Sequence, residues 1–504
     1  MRGMPFPPPC WQDQYPNTKD QSEPLSTVPS LLRRGGSGDG KFVGLTAIKS
    51  TISACLEMTT LDLKVLHPLV QGTEHMDELY QLNIVPAAIS ELALPPPDYV
   101  ERSIAAYIEN VHIHYPILDL RQLENWRDMY KALEVSIDQL QYTRLCLLIS
   151  IGTFTLDENK DHRWPPQDLH QRAWGLIVAA LASPFIDAVE VLLLHTSYLL
   201  YTGKTGTAWV VSGLVIRIAQ SLGLHQDMQT QREDKQAQRR SSLWEVAYGL
   251  DAFLSLAEGR PPATTDHPDD PLPSVRNLGE RQSAEMAVTE VHTWRVQLSR
   301  IANRASSLLN RGAVGPWVLE DLAILDQELT QWRDSMPMEY RPEQRILASG
   351  RVYSAVSFLH LQYFNLMQTV HWASFVISMQ VTDPGLLAQR APRIRCSESA
   401  CLVAARSVIE TMNHVRLDAG QKVRFTGIPV SYCMAAIAVI FRQILSQAST
   451  ISARILVEYL RAGTLHILQT VPTGGAMDHF RALSNSLKMV AEVNAEVNVD
   501  RGTR

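Results

Sequence analysis

The segment TGTAWVVSGLVIRIAQSLGLH, residues 205–225, decides the class of fold that this sequence predicts. Apolar side chains recur along it at intervals of three and four residues, at Ala208, Val211, Val215, Ile218 and Leu222. Arg217, Gln220 and Ser221 lie on the opposite side of the same helical projection. This periodicity is typical of an amphipathic α-helix that turns one face to a core.

The same period appears on both sides of this segment. Upstream it runs through 101–115 and 191–201. Downstream, helical patterns cover 283–311, 316–334, 350–380, 397–416, 429–447 and 451–470. Alternating polar and apolar residues bounded by turns, which would indicate strands, are nearly absent. The sequence therefore predicts an all-α fold, either a multi-helix bundle or a solenoid-like stack of helices.

Composition divides the chain into four segments. Residues 1–41 begin with a proline run and end with a glycine-rich stretch, and this composition predicts disorder because it cannot form a core. We expect a partly helical lead-in at 42–93, an all-helical body at 94–475 and a C-terminal tail at 476–504.

Three stretches interrupt the helical pattern inside the body. Residues 226–238 are polar without an apolar period, so we expect a surface loop there. Residues 259–279 are rich in proline and aspartate, which excludes a regular helix. Pro384 and Pro392 make 383–395 a weaker predicted boundary between helices.

The bulk composition narrows the class of function. The 504 residues are 45% hydrophobic and 19% charged, as in ordinary globular proteins. A net charge of -6 and a pI near 6.2 argue against a chain that binds nucleic acid by charge alone. No uninterrupted apolar run reaches the length of about 18 residues that a membrane helix requires, so we expect no membrane partner.

Few residues suggest catalysis. Asp266, Asp269 and Asp270 resemble a magnesium-binding carboxylate cluster of a helical enzyme, which is one alternative for the function. That chemistry needs the carboxylates on a rigid helix face, whereas these three lie among five prolines, so we interpret them as loop-capping residues. Cys396 and Cys401 have no second pair nearby and do not indicate a zinc site. We therefore expect the protein not to be an enzyme.

Charged residues embedded in apolar stretches are more informative. Arg217 lies between two isoleucines, and Asp251 lies between Leu250 and Ala252. Our hypothesis is that Arg217, Asp251 and Arg260 form a buried ionic brace, because an isolated buried carboxylate would be too costly. Arg239, which begins the helix leading to Asp251, is interpreted as part of a solvated face.

Together these residues resemble the central signature of the fungal-specific transcription factor domain. The first part of the signature extends from Gly203 through the apolar helix to Gly223, and the second from Arg239 to the proline-rich loop. The positions that carry the resemblance most clearly are Trp209, Arg217, His225, Arg240, Trp244, Asp251, Gly259, Arg260 and Pro261. The likeness covers roughly residues 90–470, and it departs at His371 and Trp372, where many relatives carry Arg-Pro.

The resemblance implies a nuclear transcription regulator of a fungal metabolic or secondary-metabolite pathway. Relatives usually begin with a six-cysteine module that holds two zinc ions and enters the major groove of DNA. Only Cys10 precedes Cys55 here, so we expect no zinc cluster and no other cofactor in this chain. It would then reach promoter DNA only indirectly, through a DNA-binding partner, unless an upstream exon that encodes the module is missing from the gene model. The resemblance also allows a homodimer and a small-molecule effector. The alternative is a ligand-sensing co-regulator or interaction protein that does not touch DNA.

Overall fold

A computed structural model supplies the architecture of the chain. The structure describes Ile52 and Cys55 and then residues 95–121, 123–124, 139–156, 164–177, 186–225, 235–264, 284–310, 317–348, 350–379, 384–417, 428–446, 451–471 and 477–502. Within these residues the fold is all-α, as the apolar periodicity predicts. The predicted disordered segment, 1–41, and nearly all of the predicted lead-in, 42–93, lie outside the described residues.

The described helices follow one another along the chain without strands between them. In order they are α1 (Pro97–Tyr107), α2 (Gln139–Thr155), α3 (Pro166–Gly175), α4 (Ile186–Tyr201), α5 (Thr205–Ser221), α6 (Lys235–Glu258), α7 (Ala284–Leu309), α8 (Val318–Ser335), α9 (Gly350–Met379), α10 (Pro384–Leu417), α11 (Ile428–Ser446), α12 (Ile451–Thr470) and α13 (Met477–Gly502). A π-helical turn, Ile108–His112, continues α1. From α4 onward, each of these helices packs against the next, and their apolar faces join in one hydrophobic core.

Helix α9 lies at the centre of this core. Its residues from Val352 to Ser378 are buried, except for the partly buried Thr369. It packs against α7 and α8 on one side and against α10 and α11 on another. A helix that is apolar over most of its circumference can be stable only when other helices cover it on every side.

Three polar side chains of α9 meet specific partners in the neighbouring elements. Ser354 lies 3.1 Å from Nε2 of His114, and His360 Nε2 lies 2.8 Å from the main-chain oxygen of Tyr340. His371 Nε2 lies 3.2 Å from a carboxylate oxygen of Asp326 on α8, and both side chains are buried. The residue at which this chain departs from the Arg-Pro of many relatives therefore links α9 to α8.

One predicted boundary is wrong. The sequence suggested an interruption at 383–395 and a helix only from 397, whereas α10 runs without a break from Pro384 to Leu417 and contains Pro392. Proline removes one main-chain hydrogen bond from a helix. Pro392 is exposed, so water can serve the carbonyl oxygen that loses its donor.

One helix in the described part of the chain is long and apolar enough to cross a membrane by length and composition. It is the segment Pro429–Ser446 of α11, with a mean hydropathy of 1.4. Neighbouring helices bury 83% of it, so its apolar side chains have protein partners already.

Helices α1 and α2 approach each other closely at Gly152. A Cβ atom at this position would lie 1.9 Å from the main-chain oxygen of Ser103 on α1. Nearby, the Ser103 and Thr153 hydroxyl groups lie 3.1 Å apart and join the two helices. Only glycine allows this approach, because the atom that a side chain would meet belongs to the backbone.

We predict that Gly152→Ala lowers the free energy of unfolding by about 1–3 kcal/mol, because the helices must separate to admit the methyl group. The matched control is Gly213→Ala on α5, where a Cβ would meet no atom within 4 Å. That change should raise stability by roughly 0.5–1 kcal/mol, since alanine favours the helix. Urea denaturation of both variants measures the difference, and equal midpoints would contradict the close approach.

Candidate functional site

Three glycines end the helices that carry the family-like signature. Gly203, Gly223 and Gly259 have positive φ angles of 73°, 73° and 61°. In each case the residue after the glycine donates its main-chain N–H to a carbonyl five residues earlier: Lys204 to Leu199, Leu224 to Ala219 and Arg260 to Ser255, at 2.8–3.0 Å. These are Schellman turns, which glycine favours because it has no Cβ to clash in the left-handed conformation. They fix where α4, α5 and α6 end.

Trp209 joins α5 to the end of α6. Its indole Nε1 donates a hydrogen bond of 2.9 Å to the Ser255 hydroxyl. The Arg260 guanidinium lies 4.8 Å from the centre of the indole ring, within range of a cation–π interaction. The main-chain oxygen of Arg260 also accepts a 2.8 Å hydrogen bond from Ser306 on α7. The signature residues therefore form a junction of three helices, which we call the α5–α7 junction.

Asp251 holds the segment that follows α6. Its carboxylate is fully buried and accepts a 2.8 Å hydrogen bond from the main-chain N–H of Ala263. Burial raises the pKa of Asp251 to about 7, although the N–H groups of Ala263 and Thr264 and the charge of Arg217 favour the ionised form. The side chain thus fixes the turn at 261–264, where the exposed Pro261 and the buried Thr264 lead out of the helix.

The predicted brace of Arg217, Asp251 and Arg260 is wrong. Arg217 is exposed and donates to Oε1 of Gln220 at 3.3 Å, so it influences Asp251 only across a distance. Arg260 is buried but lies against Trp209. The main-chain N–H groups of Ala263 and Thr264 supply the hydrogen bonds that the hypothesis assigned to arginines.

The remaining signature residues stabilise the end of α5. Arg240 on α6 donates a 2.7 Å hydrogen bond to the main-chain oxygen of Leu222. A cation at this position also suits the negative end of the helix dipole. The rings of His225 and Trp244 lie 5.7 Å apart, and Trp244 is buried.

Sequence reasoning missed a buried ion network that joins α2, α4 and the start of α6. Glu190 on α4 is fully buried and pairs with Arg239, which the sequence analysis wrongly placed on a solvated face. Arg144 on α2 lies 3.6 Å from the second carboxylate oxygen of Glu190 and also pairs with Asp187. Burial raises the pKa of Glu190, and the two arginines oppose that rise. The signal available in the sequence was a single acid in the apolar run 188–201.

The candidate metal ligands do not form a site in the described residues. No group of three histidine, cysteine or acidic side chains is placed there to hold a metal ion. Four free cysteines, Cys55, Cys146, Cys401 and Cys433, are each buried in the core. Burial raises the pKa of all four thiols, which disfavours the thiolate that zinc requires. Asp266, Asp269 and Asp270 lie outside the described residues.

We predict that Asp251→Ala lowers the free energy of unfolding by about 1–3 kcal/mol at pH 6, because the Ala263 and Thr264 N–H groups lose their acceptor. Arg217→Ala is the matched control and should change stability by less than about 0.5 kcal/mol, since its side chain is exposed. Both values come from denaturant titration. A loss in Arg217→Ala as large as in Asp251→Ala would restore the brace.

Asp251 also predicts a pH dependence. Its folded-state pKa of about 7 lies above the ordinary value of 3.8, so the folded protein holds a proton that the unfolded chain has released. This contribution to stability is complete below pH 4 and is lost as the pH rises to 7 and above. The stability of the wild type relative to Asp251→Asn should therefore fall by a few kcal/mol over this range, at about 1.4 kcal/mol per pKa unit. A constant difference between pH 4 and pH 8 would contradict the assignment.

Comparison with known proteins places this geometry in context. A family model described as "Fungal specific transcription factor domain" matches residues 104–369 and so includes α5, α6 and α7. An ABC-transporter-regulating transcription factor of Aspergillus fumigatus is 24% identical over 358 residues, covering 65% of this chain and 39% of its own length. Sorbicillinoid biosynthetic cluster transcription factor 2 of Penicillium rubens is 26% identical over 356 residues, covering 65% of this chain and 51% of its own.

The chain thus spans about half, or less, of the length of these relatives. Among solved structures, a chain of the K. lactis CBF3 core is a distant neighbour with a TM-score of 0.40 and 13% identity, covering 88% of this chain and 100% of that chain. The family match extends over more than half of the 504 residues. This chain belongs to the family of the fungal-specific transcription factor domain.

Proposed function

We propose that this chain is the helical regulatory part of a transcription regulator that controls a fungal metabolic or secondary-metabolite gene set. The observation that carries the proposal is the family match across 104–369, the region that contains the α5–α7 junction. The family is one of transcription factors and not of enzymes. Relatives named for a biosynthetic cluster and for the regulation of ABC transporters support a gene set for the production or export of small molecules.

In this proposal the chain works in the nucleus and reaches promoter DNA through another DNA-binding element. A net charge of -6 disfavours direct contact with a polyanion, since DNA-binding domains neutralise phosphates with lysine and arginine. The buried free thiols among its cysteines are dispersed over the core and do not fit a zinc cluster. The DNA-binding element would belong to a partner protein, to a second copy or to a further segment.

The second candidate is a co-regulator that binds proteins or ligands and never associates with promoters. The same negative charge favours it, because nothing in the composition draws the chain to DNA. The two candidates differ in one observable, which is recovery of the chain with specific promoter fragments.

Chromatin immunoprecipitation of the tagged chain from its own host distinguishes them. We expect enrichment of a few promoters of one gene cluster, together with nuclear fluorescence of the tagged chain. The purified chain alone should show no saturable binding to the same fragments at physiological salt. The unfused tag is the control.

Deletion of the gene should then change transcription of the genes behind the enriched promoters. Nuclear recovery with proteins but without any promoter would favour the co-regulator. A tagged chain that stays outside the nucleus, with unchanged transcription in the deletion strain, would overturn both candidates.

A further inference from the structure

A buried cation lies where the N-terminal helices meet α7. Arg295 on α7 is 7% exposed, and its Nη1 donates to the main-chain oxygen of His114. The guanidinium also lies 5.4 Å from the centre of the Tyr115 ring. In the part of the chain that the structure describes, no carboxylate oxygen lies within the 4.0 Å of an ion pair with Arg295. A buried arginine is ordinarily paired with an acid, whereas the charge of Arg295 has no close counterion.

Three histidines surround this arginine. His112 and His114 are buried, and the half-buried His292 lies one helical turn before Arg295. Burial lowers the pKa of His112 to about 4 and that of His114 to about 3, and the positive charges of nearby arginines lower them further. The same two causes hold the pKa of His292 well below its usual range. All three rings are therefore neutral near pH 7, and the His292 ring already forms a hydrogen bond with the main chain of Ile113.

The charges around the cluster are unequal in sign and distance. Arg351, which is exposed, adds a second positive charge near His112. The acids that act on the cluster do so from farther away: Asp119 acts on His112, and Glu245 acts on Arg295. Asp119 already accepts a 2.9 Å hydrogen bond from the main chain of Arg121. The local field therefore favours an anion.

The backbone at this place is unusual. His112 ends the π-helical turn Ile108–His112, and its Nδ1 has no hydrogen-bond partner among the described residues. π-Helical turns are rare, cost stability and are found frequently at functional sites. A turn of this kind shifts His112 away from the regular face of α1. The unpartnered nitrogen and a guanidinium without a close carboxylate are two independent signs of a missing ligand.

Aromatic rings line the same place. The His114 ring lies 4.6 Å from Phe358 on α9, and Tyr115 lies 5.7 Å from Phe358. Tyr107 lies 6.2 Å from His112. Flat apolar surfaces beside a cation suit an anion attached to an aromatic body, and a planar carboxylate matches the two parallel N–H groups of a guanidinium.

We infer that Arg295, with His112, forms a binding site for the carboxylate group of a small aromatic acid. The carboxylate takes the place of the absent counterion, and the His112 ring supplies a further donor. A ligand held there contacts α7 and the π-helical turn at once, and through Phe358 it reaches the central helix α9. Such a site binds aromatic acids whether or not the chain acts at promoters, so either conclusion can fail without the other.

Sodium benzoate is the probe. Calorimetric titration and thermal unfolding of the full chain should show saturable binding of benzoate, and a higher Tm than an equal ionic strength of sodium chloride gives. Sodium acetate should bind more weakly, because it lacks the ring. The absence of saturable benzoate binding would overturn the inference, and so would equal binding of sodium phosphate, which lacks both the planar carboxylate and the ring.

Variants and hydrogen exchange locate the site. Arg295→Gln should weaken benzoate binding roughly tenfold or more. Arg304→Gln on the same helix, where the arginine pairs with Glu328, should leave it unchanged. If circular dichroism shows that Arg295→Gln is unfolded, His112→Asn replaces it. In the wild type, benzoate should slow amide exchange in 108–118 and 291–299. Unchanged affinity in the folded variants, or protection confined to other segments, would overturn the assignment.

Discussion

The need to bury a thirty-residue helix on every side governs this structure. Helix α9 has almost no surface left for water, so some of its polar side chains bond within the helix and others take partners from neighbouring elements. Ser354 is satisfied by His114, His360 by the backbone near Tyr340, and His371 by Asp326. These contacts join α9 to segments that lie before it in the sequence. Helices α7, α8, α10 and α11 cover α9, and the remaining described helices pack against these four or against one another.

The residues of the family signature lie on α5 and α6 and in the turns that end α4, α5 and α6. Its glycines end three successive helices. Trp209 and Arg260 meet at the α5–α7 junction, and Arg240 binds the opposite end of α5. The buried Asp251 takes its hydrogen bond from the main chain and not from an arginine. The Glu190 network shows the costlier solution, in which two arginines compensate one buried acid. The network joins helices that are separated in the sequence.

The helices were predictable from the sequence because burial imposes a period of three and four on apolar residues, as in 205–221 and 350–379. The length of α10 was not predictable from the sequence. The effect of Pro392 on a helix depends on whether water can reach the carbonyl oxygen that loses its main-chain donor. The burial of Asp251 followed from its apolar neighbours. The hydrogen-bond donors to Asp251 could not be predicted, since Ala263 lies across a turn that forms only in the folded chain. Arg239 was misjudged for the same reason, because its partner lies 49 residues away.

The left-handed glycine turns bear on how such a domain can diverge. At Gly203, Gly223 and Gly259 the left-handed conformation of the glycine backbone changes the direction of the chain. This change of direction depends little on the surrounding side chains. A residue with a Cβ would be strained at these three positions, whereas the helix faces between them carry no such backbone constraint. Sequences that are only 24% and 26% identical can therefore share this course of helices. Regulators of different gene sets can thus inherit one course of helices and evolve separate surfaces upon it.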